Sequence, residues 1–315
     1  MKRILIYLLL VVGAAASSAQ TIEPMPYGDM EQWVVRIIKE SGIIGGNTRE
    51  LYCLGKTDTI RQNAAYDYAK SGSPWTSSNA YAKVMGVEKG ACTMRPEKRE
   101  DGGTCCRMDV ELQSIKALGI VNVSVLAGGT LFTGRTLEPI KSADNPNSNI
   151  DCGIPFTRKP KALIFDYKCQ VSPENTMTST VGGGKPKTIQ GHDCPKAFII
   201  LEHRWEDADG TIHALRVGTG MELFEKTVST WQNNHRLEVH YGDITGEPFY
   251  KPYMALKSNQ HTVNSKGKVV NFIEEGWDGT KTPTHMLINF SACSQEAYMG
   301  REGNTLWVDN VKLEF

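Results

Sequence analysis

The amino-acid sequence predicts an all-β protein, its sheets closing on one another as a sandwich or barrel. Three observations predict it. From Cys105 onward apolar residues recur at every second position, the period of a half-buried strand. Short apolar runs alternate with clusters of Gly, Pro, Asn and Asp, the residues that make turns. Hardly any stretch carries the 3.6-residue apolar stripe of a long helix.

Taken in order, the segment Gln32–Ile37 reads as a short strand. Residues 51–100, rich in Gly, Ser, Asn and Lys, read as loops with one helical turn over Thr59–Tyr68. Cys106-Arg107-Met108-Asp109-Val110-Glu111-Leu112 alternates apolar with charged, as one face of a sheet demands. Val121–Leu126 and Ala162–Cys169 follow as strands. Ala197–Trp205 encloses Phe198-Ile199-Ile200-Leu201, long enough for a buried strand. Asp207-Ala208-Asp209-Gly210 then predicts a hairpin turn, because Asp-Gly between apolar runs supplies the positive φ that a tight turn needs. Its acids lack the spacing and closing Glu of an EF-hand loop. In His285–Phe290, Met286, Ile288 and Phe290 share one face. In Thr305–Phe315, Leu306 and Val308 keep one phase while Val311, Leu313 and Phe315 keep the other, so a β-bulge is expected at Asp309-Asn310. Trp33, Trp205 and Trp307 lie in apolar runs and read as core.

The chain opens with Met1-Lys2-Arg3, a short apolar run over Ile4–Val12 and the small residues of 13–20. That layout predicts a secretory signal peptide cut near Ala19 or Gln20, too short in its apolar part to span a bilayer. The protein is therefore expected in the periplasm, at the cell surface or secreted. No other apolar stretch approaches membrane length. The sequence holds 35 basic and 35 acidic residues, and loss of 1–20 would leave 33 basic against 35 acidic. Such a balance leaves no electrostatic footprint for nucleic acid. Export permits the 8 cysteines to pair. Cys105 and Cys106 are adjacent, so one of them is expected to bond elsewhere, with Cys92 the candidate across the turn Asp101-Gly102-Gly103. No C-x-x-C pair points to zinc.

Several segments together resemble a known family. They are Gly129-Thr130-Leu131-Phe132-Thr133-Gly134, Cys152-Gly153-Ile154-Pro155-Phe156-Thr157-Arg158-Lys159-Pro160, Phe165-Asp166-Tyr167-Lys168, His192-Asp193-Cys194-Pro195 and the closing run Gly303–Phe315. Their order and spacing resemble the putative carbohydrate metabolism domain of exported proteins from glycan-degrading gut bacteria. The match is best from Cys105 to the C-terminus and weaker over Tyr27–Lys89. The resemblance implies a jelly-roll β-sandwich similar to galactose-binding-like carbohydrate modules, in one domain over 21–315. It also implies a carbohydrate partner. In modules of that kind a structural calcium often ties an N-terminal acid to an Asp near the end of the last strand. Asp29-Met30-Glu31 and Asp309 occupy similar places, which makes Glu31 and Asp309 the candidate ligands, with hard carboxylate oxygens of the type calcium takes.

Sugar rings present flat C–H faces that aromatic rings cover, while polar side chains read the hydroxyls. Trp75 with Asn79, Trp277 with Asp278, and Tyr298 with Arg301 are the candidate platforms, because each aromatic stands among polar neighbours. Hydrolysis would instead need a carboxylate pair, for which Glu202, Glu222, Glu238, Glu274 and Glu275 are available. The seven histidines are scattered; His235 and His240, an odd number of residues apart on a strand, should face opposite ways. A glycan-binding module is the leading reading. A glycoside hydrolase is the first alternative, and a structural or adhesive component with cell-surface protein partners is the second. No nucleotide or redox cofactor is expected.

Overall fold

The computed structural model describes residues 20–117, 121–142, 144–181 and 185–315. The predicted signal peptide, residues 1–20, lies outside them except for Gln20. Among the described residues no helix is long and apolar enough to cross a membrane.

The strands that matter here, in chain order, are β1 (Trp75–Ser77), β2 (Met94–Lys98), β3 (Thr104–Ala117), β4 (Val121–Gly128), β5 (Thr130–Thr136), β6 (Ala162–Gln170), β7 (Lys196–Glu206), β8 (Ile212–Leu223), β9 (Val228–Glu238), β10 (His285–Ser291) and β11 (Thr305–Glu314). One sheet runs β4-β3-β11-β6-β9, with β2 added on β3 and Ile22–Pro24 on β11. The other runs β5-β10-β7-β8, with β1 added on β5. The chain changes sheet after β1, β4, β5, β6, β8, β9 and β10, the wrapping path of a jelly roll.

Alternation decides which side chains the two sheets share. Met108, Leu163, Phe165, Leu306 and Val308 from the first meet Leu131, Ile199, Leu201, Ile288 and Phe290 from the second in one core. Each such side chain contributes about 1.5–3 kcal/mol by leaving water. The predicted bulge is present. Pairing of β6 with β11 slips between Ile164/Lys312 and Asp166/Asp309, and Asn310 takes φ 51. The slip returns Val311 and Leu313 to the face already held by Leu306 and Val308. The β7–β8 turn closes as expected, with Gly210 at φ 96 and its N–H donating to Asp207 O.

Residues 51–100 depart from the expectation of loops. They carry Ala80–Val84, Val87–Ala91, β1 and β2, and the helical turn is Tyr68–Ser71, capped by Asp67. Lys, Gly and Ser on the solvent side dilute the apolar alternation there. This region is pinned to the sandwich by Glu138, which accepts from both Arg36 Nη atoms (3.1 and 2.6 Å) and from the Tyr66 and Tyr81 amides.

Trp205 also departs, being 37% exposed and stacked on His213 rather than in the core. Trp307 is half-buried on the outer face of the first sheet, between Arg107 and Lys168. The eight cysteines are thiols. Strand register sets Cys105 against Glu97 and Cys106 against Pro96, so neither opposes Cys92, which precedes β2. The Cys92 thiol instead donates to Met94 O and the Cys105 thiol to Glu97 O.

Candidate functional site

Because Met286, Ile288 and Phe290 of β10 face inward, Leu287, Asn289 and Ser291 face outward. With Phe132 they floor a groove of about 440 Å³ on the outer side of the second sheet, within the range of about 300–1,000 Å³ usual for ligand clefts. The Ala80–Val84 and Val87–Ala91 hairpin forms one wall, and the loop after β10 forms another. The lining is mainly apolar, with amides and hydroxyls spaced along it. Asn289 Oδ1 is buried with no hydrogen-bond partner among the described residues. An amide oxygen left in that state is a ready acceptor for a ligand hydroxyl.

The wall loop is held at both ends by one side chain. Asp193 Oδ1 accepts from the Ser294 amide (2.8 Å) and hydroxyl (3.0 Å), while Oδ2 accepts from the Arg301 amide (2.9 Å) and Asn304 Nδ2 (3.1 Å). The Thr180 amide donates to Tyr298 O at 2.9 Å, and the Cys293 thiol donates to Met299 O at 3.1 Å. Gly300 is required by this closure, since a Cβ there would lie 2.7 Å from Cys293 Sγ. The clamped loop holds Tyr298 at φ 68, a conformation that a bulky residue adopts only under tertiary constraint. Its ring lines the groove, and burial pushes its phenol up to about 12, so the hydroxyl stays protonated and able to donate.

The family model described as the putative carbohydrate metabolism domain matches residues 55–314. The chain belongs to this family. Several solved chains resemble it. The crystal structure of a putative glycoside hydrolase from Bacteroides thetaiotaomicron has 18% identity and a TM-score of 0.46, over 89% of this chain and 70% of that one. Another, of a putative glycoside hydrolase from Bacteroides vulgatus, has 14% identity and a TM-score of 0.42, over 93% of this chain and 94% of that one. No curated protein matches the sequence.

In this member of the carbohydrate metabolism domain family, of the six residues read as sugar contacts only Tyr298 lines the groove. Trp75 is 0% exposed, its ring beside Phe290 and its Nε1 donating to Pro26 O at 2.8 Å, which removes it as a platform. Asn79 is likewise enclosed. It donates to Tyr52 O and Met94 O and accepts from the Thr93 and Met94 amides. Trp277 is half-buried under the Arg216 guanidinium, and Asp278 accepts from the Thr280 amide and hydroxyl in a turn. Arg301 pairs with Glu174 at 2.5 Å.

The proposed calcium ligands are not brought together by a metal-shaped cluster. Arg99 Nη1 takes Asp309 at 2.8 Å and Asp166 at 3.1 Å, so a cation is already supplied by the protein. Glu31 accepts from the Thr104 amide. Among the described residues no group of three His, Cys, Asp or Glu is placed to hold an ion. The two ends of the described residues are joined by backbone pairing, Thr21 with Phe315 and Ile22–Pro24 with β11.

Two of the candidate carboxylates do lie near each other. Glu202 of β7 and Glu274, in the short strand Glu274–Trp277, are close enough for each to influence the other's ionisation. Both are buried beneath the hairpin Gln260–Val263/Val269–Phe272. Arg216 grips Glu274 with Nε and Nη2, and Arg204 Nε donates to Glu202 at 2.6 Å. Burial pushes the Glu274 carboxyl up. Burial also works against ionised Glu202, but Arg204 and Arg216 outweigh it and hold that carboxyl low. A glycosidase pair stands about 5–10 Å apart across the scissile bond. This pair is buried and already spent on guanidinium groups. Glu222 is bonded to His235 at 2.7 Å, and Glu275 to His213. His240 stacks on Phe249, away from His235.

Asn289 and the Asp193 clamp were missed by the sequence reading. A single Asn in the outward phase of an otherwise apolar strand was the available signal for the first. The second spans residues distant in sequence and left none.

Proposed function

We propose that this chain is a glycan-binding module acting outside the cytoplasm, gripping an oligosaccharide in the groove on the second sheet without cutting it. One observation carries the reading: the clamped, positive-φ Tyr298 facing a groove whose floor holds the unpartnered Asn289 amide oxygen. An aromatic face covers sugar C–H groups while an amide oxygen accepts from a hydroxyl. Binding is favoured over hydrolysis because Glu296 is the one carboxylate among the described lining residues, and it accepts from Asn259 Nδ2 at 3.0 Å. Acid–base cleavage of a glycoside asks for two. Placement outside the cytoplasm rests on the 1–20 leader reading alone.

Purified protein applied to an array of oligosaccharides should be retained saturably on a subset, and incubation with those sugars should release no reducing ends. Reducing-end release that disappears in Glu296→Gln would replace this reading with a hydrolase.

A further inference from the structure

A second cavity of about 210 Å³ shares Lys196 and Gln295 with the groove. Resting on the glycan-binding reading, we propose that this cavity is a subsite for an anionic sugar substituent, a carboxylate or a sulfate, bound by Lys196 and Lys257. The backbone places both residues. Lys196 opens β7 in the same outward phase as Phe198, and its Nζ donates to Ser294 O at 3.1 Å, at the base of the Tyr298 loop. Lys257 is fixed from the other side, its amide donating to Glu274 Oε2 at 2.6 Å. Phe198, Met221, Leu223 and Tyr253 supply the apolar remainder of the wall.

The described lining of this cavity carries two lysines and no carboxylate. Lys196, Lys257 and Arg216 converge on the region. Of the carboxylates around it, Glu274 is gripped by Arg216 and Glu222 is bonded to His235, while Glu296 and Glu225 stand outside its lining. Burial, then the neighbouring Lys196 and Arg216, hold the Lys257 amine below its ordinary range, which is the condition that a bound anion would relieve. An ammonium in a half-enclosed site recognises an anionic group by charge-assisted hydrogen bonding, stronger than its contact with a neutral hydroxyl.

The test compares matched sugars by calorimetry: oligogalacturonate against its methyl ester, and a sulfated galactan oligosaccharide against its desulfated form. At least one acidic member should bind tighter than its neutral counterpart by about tenfold or more, about 1.4 kcal/mol, and the pair showing the preference tells carboxylate from sulfate. Lys257→Met should abolish that preference, while Lys257→Arg should keep it. Retained binding of the neutral sugar by Lys257→Met shows that the variant is folded. Equal binding of acidic and neutral members, or a preference that survives Lys257→Met, overturns the subsite. If neutral sugars still bind in a Tyr298-dependent way, the groove reading stands without it. If no sugar binds, both fall together.

Discussion

Replacing Arg216 with Met should lower the stability of the fold by about 3–5 kcal/mol, the cost of stranding a buried charge without its partner. Arg216 and Glu274 are both fully enclosed, and the guanidinium also donates to Thr219 Oγ1 at 3.0 Å and lies 5.2 Å from the Trp277 ring. Without it Glu274 keeps the Lys257 amide as its donor and faces the Glu202 carboxylate at close range. Denaturant unfolding of wild type and Arg216→Met measures the loss. The double variant Arg216→Met/Glu274→Leu should recover a large part of it, because an apolar pair leaves no charge to strand. A single-variant loss below about 1 kcal/mol would show the network to be solvated, contrary to its burial.

Trp75→Ala should be comparably damaging, about 3–5 kcal/mol, as expected when a large aromatic leaves a packed core. The indole fills the space beside Phe290, and its N–H satisfies Pro26 O, which the substitution would orphan. A displayed sugar platform would behave in the opposite manner, losing affinity with little change in the melting midpoint. Thermal unfolding of Trp75→Ala separates the two, and an unchanged midpoint would contradict the burial described here.

These two residues also show what the sequence could and could not reveal. The sandwich was legible because alternation is local. The change of phase at Asp309-Asn310 even located the bulge, since two apolar sets out of step can reach one core only through an extra residue. Trp75 was misread because its neighbours Ser73, Thr76, Ser77, Ser78 and Asn79 are polar, yet Thr76, Ser77 and Asn79 are buried with internal partners. Burial there is set by Pro26 and Phe290, which no local window includes. The Glu202–Arg204 and Glu274–Arg216 network arises because the short strand Glu274–Trp277 pairs in parallel with β8, a long-range contact that a local pattern cannot specify. Tyr298 was picked out from its polar surroundings, but what aims it is the Asp193 clamp and a positive φ, both tertiary in origin. Trp277 and Asp278 had an equal sequence argument, and the fold directs them into packing and a turn.

The most direct test is to titrate a glycan selected on the array into wild type, Tyr298→Ala and Asp278→Ala. Loss of the ring should weaken binding by tenfold or more, in line with about 0.5–1.5 kcal/mol for an aromatic contact plus the area it covers, while Asp278→Ala should match wild type. Undiminished affinity in Tyr298→Ala, with loss in Asp278→Ala, would move the sugar to the opposite end of the second sheet and contradict the groove as the binding site.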